Sequence, residues 1–162
     1  LKPTPPDLQN LSANLKTNAG AFVTLRRDGQ LRGCIGSFST TTPLYQVVMA
    51  MAVAAATEDY RFPPVTRNEL GEVEIEISVL TPMKKISSID EIELGRHGIY
   101  IRKGGHSGTF LPQVATETGW SLEEFLGHCA RDKALIGWDG WRDAEIFTYE
   151  AIVFEEKDFK MN

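Results

Sequence analysis

Between Ala21 and Gly36 two short runs of alternating apolar and polar residues flank Asp28-Gly29. Alternation of period two predicts strands, and an Asp-Gly pair between two such runs predicts a hairpin. Two loop lengths compete. A two-residue loop would put Val23 and Leu25 on the face of Arg32 and Cys34. A three-residue loop, with Gly29 left-handed and forming a bulge, groups Ala21, Val23 and Leu25 with Leu31, Gly33 and Ile35. That register yields one clean apolar face, so the bulged loop is the expectation. Phe22, Thr24, Arg32, Cys34 and Gly36 then share the other face.

Further along, the period changes. Leu44, Val47, Val48, Met51 and Ala55 recur at helical spacing, with Thr42 as the expected cap and Pro43 at the first helical position. The alanines of this segment predict a helix lying close against a sheet. Asp59-Tyr60-Arg61-Phe62-Pro63-Pro64 reads as a rigid turn. Val73, Ile75, Ile77 and Val79 alternate with Glu72, Glu74, Glu76 and Ser78, a strand that Pro82 stops. Short strands are expected over 99–103 and 109–111 around Gly104-Gly105. Pro112 opens a short helix that Gly119 ends, and Ser121 with Glu124 forms a capping box for another. That second helix buries Leu122, Phe125, Leu126 and Cys129. A last strand is expected over 145–154, followed by a polar tail.

The resulting class is α+β, with mainly antiparallel sheet flanked by helices and a second, smaller lobe around 95–120. Residues 1–19 form an extended, proline-rich arm with one helical turn near Asp7, and 20–162 form one domain.

Composition narrows the function classes. The 162 residues carry a net charge of −5, and the basic residues cluster no further than pairs such as Arg26-Arg27, Lys84-Lys85 and Arg102-Lys103. A surface that tracks nucleic-acid phosphates is therefore not expected. The longest apolar run, Val47 to Ala56, is too short to span a bilayer. Cys34 and Cys129 make no disulfide framework, and no signal-peptide pattern opens the sequence. A cytoplasmic protein with reduced thiols is the expectation.

Candidate chemistry centres on Leu31-Arg32-Gly33-Cys34-Ile35-Gly36. Arg32 and Cys34 share a strand face, where a guanidinium would favour the thiolate, and Gly36 would leave room for a ligand. The plainer alternative is a small buried hydrophobe in a strand. Glu76, at the strand centre, either lies on a solvated face or turns toward Arg32 as a base or ion-pair partner. Among His97, His106 and His128, only His106, in a Gly-Gly-His-Ser-Gly turn, is a candidate for proton transfer. No pair has metal-ligand spacing, and no metal or cofactor site is expected. Residues 103–108 lack the Gly-Lys-Ser/Thr ending of a phosphate loop. The hydroxyl-rich loop Ser37 to Thr42 before a helix is the better anion site, though an ordinary cap also explains it. Trp138 and Trp141 either close a core edge or form an exposed patch.

The blocks Gly20-Ala21-Phe22-Val23-Thr24-Leu25 and Leu31-Arg32-Gly33-Cys34-Ile35-Gly36, followed by Asp59 to Pro64, Glu76 to Leu80 and Phe110 to Ala115, resemble the AMMECR domain family over about Gly20 to Phe154. The resemblance implies a two-lobed α+β domain with the signature strand in a cleft. It also implies Memo-like and radical-SAM proteins as partners, and an activity that is not established. Carried over by position, Arg32, Gly33, Cys34, Gly36, Arg61, Phe62 and Glu76 surround the cleft. Two functions follow as expectations. In the first, a cleft enzyme or small-ligand binder uses Cys34 as nucleophile or holding point, Arg32 to lower its pKa or bind an anionic group, and Glu76 or His106 to move protons. In the second, the chain is a non-catalytic interaction module for those partners.

Overall fold

The structure is a computed structural model that describes residues 4–38 and 40–159; Ser39, within the expected anion loop, lies outside them. The chain divides into two compact units. One runs to Leu80 and takes in the chain from Ile152 onward; the other is Thr81–Ala151. The second unit includes the 95–120 segment expected as a small lobe and extends well beyond it.

The first unit is a four-stranded sheet in the order β2-β1-β3-β8, with β1 Ala21–Arg27, β2 Gln30–Ser37, β3 Val73–Leu80 and β8 Ala151–Glu155. Helix α1, Ala13–Lys16, gives the arm a short helical segment, and α2, Leu44–Thr57, packs on the sheet. Asp7 holds a turn by accepting from the Gln9 and Asn10 side of the arm, at 3.0 and 2.7 Å. The core face of the sheet carries Ala21, Val23, Leu25, Ile35 and Ile77 against Leu44, Val47, Met51 and Ala55. Pro43 occupies the cap position itself, so α2 begins one residue later than the sequence predicts. The extended ψ of 139° at Pro43 keeps that residue outside the helix.

The hairpin departs from the expected loop. Asp28 and Gly29 both have positive φ, 53° and 74°, and Arg27 pairs with Gln30. This is a two-residue turn whose backbone twist matches that of the strands. The extra residue sits further back. Leu25 pairs with Gly33 and Arg26 with Leu31, which leaves Arg32 bulged. The apolar register is thus kept, Val23 opposite Ile35, but the bulge falls within β2 and re-aims Arg32.

The second unit is a sheet in the order β4-β7-β5-β6, from β4 Lys84–Lys85, β5 Gly98–Lys103, β6 His106–Phe110 and β7 Glu145–Tyr149. Helices α3, Pro112–Thr118, and α4, Leu122–His128, supply its other layer. Gly119 closes α3 with φ 69°, and Ser121 and Glu124 form the expected capping box. Ile99, Ile101, Phe110, Phe125, Leu126, Cys129 and Trp141 make the core. The expected single strand over 145–154 is two strands in two sheets. Glu150 breaks it: its amide donates to the Thr81 hydroxyl at 2.8 Å and its carboxylate accepts from Arg96 at 2.7 Å. Trp141 is core, whereas Trp138 stays 36 % exposed. The β1–β2, β1–β3, β4–β7, β5–β6 and β5–β7 pairings are antiparallel, and the fold is α+β.

Candidate functional site

Among the described residues β2 is an edge strand, so one side of its backbone has no strand partner. Unpaired backbone groups at an edge need another partner or water. At Cys34 that partner is the turn after α2. Asp59 Oδ2 accepts from the Cys34 amide at 2.9 Å, and Arg61 Nη2 donates to the Cys34 carbonyl at 3.4 Å. Two side chains, two residues apart, thus bond the strand as a neighbouring strand would.

The same geometry fixes what lies beside the sulfur. With its backbone groups turned outward, Cys34 faces its partner Thr24 as a non-hydrogen-bonded pair, the closer type of side-chain pair. The Thr24 hydroxyl donates to Sγ at 3.3 Å. One strand further, Glu76 sits opposite Thr24. Cys34, Thr24 and Glu76 therefore form a row across β2, β1 and β3 on the face away from α2. Thr24, Glu76 and Ser78 are buried there, whereas Glu72 and Glu74 stay exposed, so the face is solvated at its outer glutamates and closed at its centre. Glu76 faces Arg26 Nε at 3.6 Å rather than Arg32.

The guanidinium next to Cys34 is that of Arg61. Its Nε and Nη2 grip the two oxygens of Asp59 at 2.9 and 2.7 Å, in the fork geometry that suits a carboxylate. Asp59 is only 5 % exposed, and these bonds, led by that of Arg61, hold its pKa down to about 2. The guanidinium of Arg61 also lies 5.5 Å from the centroid of the half-buried Phe62 ring.

Arg32 corrects the sequence reading. Its Nε and Nη2 donate to Glu69 at 3.0 and 3.2 Å, and its Nη1 to the Pro63 carbonyl at 2.9 Å. Glu69 also accepts from Arg27 and from the Thr66 amide and hydroxyl. The bonds of Arg32 are the largest cause of a Glu69 pKa lowered to about 2. The bulge is the physical reason: it turns Arg32 off the row that holds Cys34. Arg32 ties the hairpin to the segment after α2 and is no part of the thiol's surroundings.

The two glycines of the signature are also filled. A Cβ on Gly33 would stand 2.2 Å from the Ala55 carbonyl oxygen, so Gly33 lets α2 approach the sheet. A Cβ on Gly36 would stand 2.2 Å from the Phe22 ring, which occupies the space expected for a ligand. His106 opens β6 in the other unit, exposed and paired with Lys103.

Burial raises the pKa of the half-buried Cys34 thiol above its ordinary value, and outweighs the Thr24 hydrogen bond and the Arg61 charge, which lower it; Asp59 and Glu76 raise it further. Burial thus disfavours the thiolate at this position. Cys129, fully buried, is pushed up to about 12 by burial. Among the described residues, no three His, Cys, Asp or Glu side chains are placed to hold a metal ion. Among those same residues, no helix is long and apolar enough to cross a membrane.

Sequence reasoning overlooked Asp59 and the contact of Thr24 with the sulfur. The signal for Thr24 was the hairpin register. For Asp59 it was the Asp-x-Arg spacing directly after a helix, which puts both side chains on one side of a tight turn.

This fold, with a cysteine-bearing edge strand closed by an Asp-x-Arg turn, falls in a recognised class: the AMMECR1 family model matches residues 2–154, and the chain belongs to that family. Among its relatives, protein MK0488 of Methanopyrus kandleri is 45 % identical over 155 residues, 89 % of this chain and 74 % of that one. Protein NEQ441 of Nanoarchaeum equitans is 41 % identical over 155 residues, 90 % of this chain and 86 % of that one. A crystal structure of the protein PH0010 from Pyrococcus horikoshii superposes with a TM-score of 0.88 at 37 % identity, covering 95 % of this chain and 80 % of that one.

Proposed function

We propose that this AMMECR1-family protein binds a small anionic ligand at the Cys34 edge of its first sheet. The observation that carries this reading is the frame around Cys34: both of its backbone groups are held, its sulfur is oriented by Thr24, and a guanidinium stands beside it. Preorganised polar groups around a half-buried residue favour binding, because little ordering remains to be done. Arg61 is 37 % exposed on its side chain, and the fork to Asp59 uses Nε and Nη2. Its Nη1 is the group that would meet an anion, with Phe62 beneath. Cys34 then acts as a neutral contact or holding point, since its raised pKa counts against a thiolate nucleophile in the free protein. Glu76 keeps the proton-transfer role only if the ligand reaches its buried carboxylate. Cytoplasmic reduced conditions suit both free cysteines.

Thermal-shift titration with small phosphates and carboxylates tests the proposal. Binding that disappears in Arg61→Gln and survives in Arg32→Met supports it; equal loss in both variants, or no binding by any anion, sinks it.

A second reading has its own support. Ile152 and Phe154 of β8, with Phe159, are exposed and border a cavity of about 850 Å3 lined also by Leu15, Tyr45 and Val79. Apolar exposure of this kind favours a protein partner, and the Memo-like and radical-SAM proteins implied by the family resemblance are the candidates. Under this reading Phe154→Glu abolishes co-purification with such a partner and leaves Cys34 chemistry unchanged.

A further inference from the structure

The carboxylate of Asp59 has more bonds than a turn needs. It accepts from the Cys34 amide, from the Arg61 amide at 3.2 Å, and from two nitrogens of the Arg61 guanidinium. It touches no part of the sulfur, yet it controls both things that sit beside the sulfur: the backbone that carries it and the cation nearest to it. From this geometry we infer that Asp59 is the positioning residue of the site: it restrains Arg61 from pairing with Cys34 and so keeps the thiol in its neutral form.

The argument rests on competition for one fork. The Nε–Nη2 edge is the one turned to Asp59 and, through Nη2, to Cys34; that edge can serve one anion at a time, while Nη1 stays available to a ligand. In the structure it serves Asp59, with Nη2 reaching only the Cys34 carbonyl at 3.4 Å. Asp59 also adds its own negative charge near the sulfur. The remaining charged neighbour on that side is Glu76 of β3, which is itself faced by Arg26 of β1. Thr24 is neutral and donates to the sulfur. Releasing the fork would leave Arg61 as a free cation beside the thiol, the arrangement that lowers a cysteine pKa. An anionic ligand on Arg61 would act the other way, adding negative charge beside the sulfur and favouring the neutral thiol further. The state of the thiol then follows occupancy of the site, which deepens the binding reading above and rests on it for its biological use.

The test is the pH profile of Cys34 alkylation by iodoacetamide, read on the Cys34 peptide by mass spectrometry so that Cys129 does not contribute. For Asp59→Asn the midpoint falls by about one pH unit or more. Adding Arg61→Gln to that variant returns the midpoint upward, because the cation responsible is gone. A purely structural role for Asp59 would instead raise labelling at every pH alike and would ignore Arg61. A midpoint in Asp59→Asn that does not fall, or a double variant that matches it, overturns the inference. Should Asp59→Asn not fold, Arg61→Gln alone decides. It raises the midpoint above that of the unsubstituted protein if the pair governs the thiol, and an unchanged midpoint overturns the idea. All profiles use ligand-free protein, so a failed ligand search and a failed positioning role are read separately.

Discussion

Which arginine stands beside a cysteine decides what the cysteine can do. Two residues of separation on a strand put Arg32 on the Cys34 face, but one bulged residue sends it to Glu69, and Arg61 takes its place. The replacement is not equivalent. Arg61 arrives already paired with Asp59, so its charge reaches the sulfur half-cancelled. Two outcomes follow for single side chains. Alkylation of Cys34 should show a midpoint above the free-thiol value of about 8.5, because burial raises its pKa. Arg32→Met should leave that midpoint unchanged while lowering the urea midpoint of the protein, because Arg32 bonds to Glu69 and Pro63 and not to the thiol's neighbours. A shift of the alkylation midpoint in Arg32→Met would contradict the assignment.

At the scale of elements, the signature strand is shaped by what it must fit against. One face of β2 meets the backbone of α2, and Gly33 is the position where only a hydrogen fits. Gly33→Ala would drive a methyl into the Ala55 carbonyl. The helix must then shift, at about 1–3 kcal/mol as seen for overpacked cores, measurable by urea unfolding. The opposite face receives the Phe22 ring over Gly36, and that ring packs edge-on to Phe38 at 5.5 Å. The free edge is closed by the Asp59–Arg61 turn, which follows directly on α2. Proline at 63 and 64 stiffens that turn, and Pro63 lends its carbonyl to Arg32. So the helix that packs on the sheet also delivers the groups that close the sheet's edge. The elements themselves were legible: the hairpin, α2, β3, the capping box at Ser121 and the Gly119 stop all follow from local periodicity and cap chemistry. The break at Glu150 was not, because Thr81 and Arg96 lie far off in sequence.

For the whole molecule, the buried carboxylate of Asp59 links stability to acid. Its pKa is held at about 2 in the folded chain against an ordinary 3.8. A depressed pKa contributes stability that is full above the unfolded value and is lost as pH falls toward the folded one. The window is therefore about pH 4 down to about pH 2, and the contribution is about 2 kcal/mol. Urea midpoints collected between pH 5 and pH 2 should fall with this slope, and Asp59→Asn should flatten the part that Asp59 supplies. Glu69, also held at about 2, adds to the same acid loss with the same sign. The two compact units share one chain that enters the second at Thr81 and leaves it after Ala151. Both cores are built from short antiparallel strands, with α2 in one and α3 and α4 in the other.

Local order set much of this protein from sequence alone: period-two and helical runs, Asp-Gly and Pro punctuation, and a six-residue block that marked the family and its critical strand. These are short-range properties, encoded within a few neighbours of each residue. Tertiary structure decided the rest. It chose where the bulge fell, which arginine met Cys34, that Phe22 filled the gap at Gly36, and that Asp59 bonded an edge strand 25 positions away. Each of those outcomes depends on how separate elements satisfy one another's unpaired groups and empty volumes, and no window along the chain contains both partners.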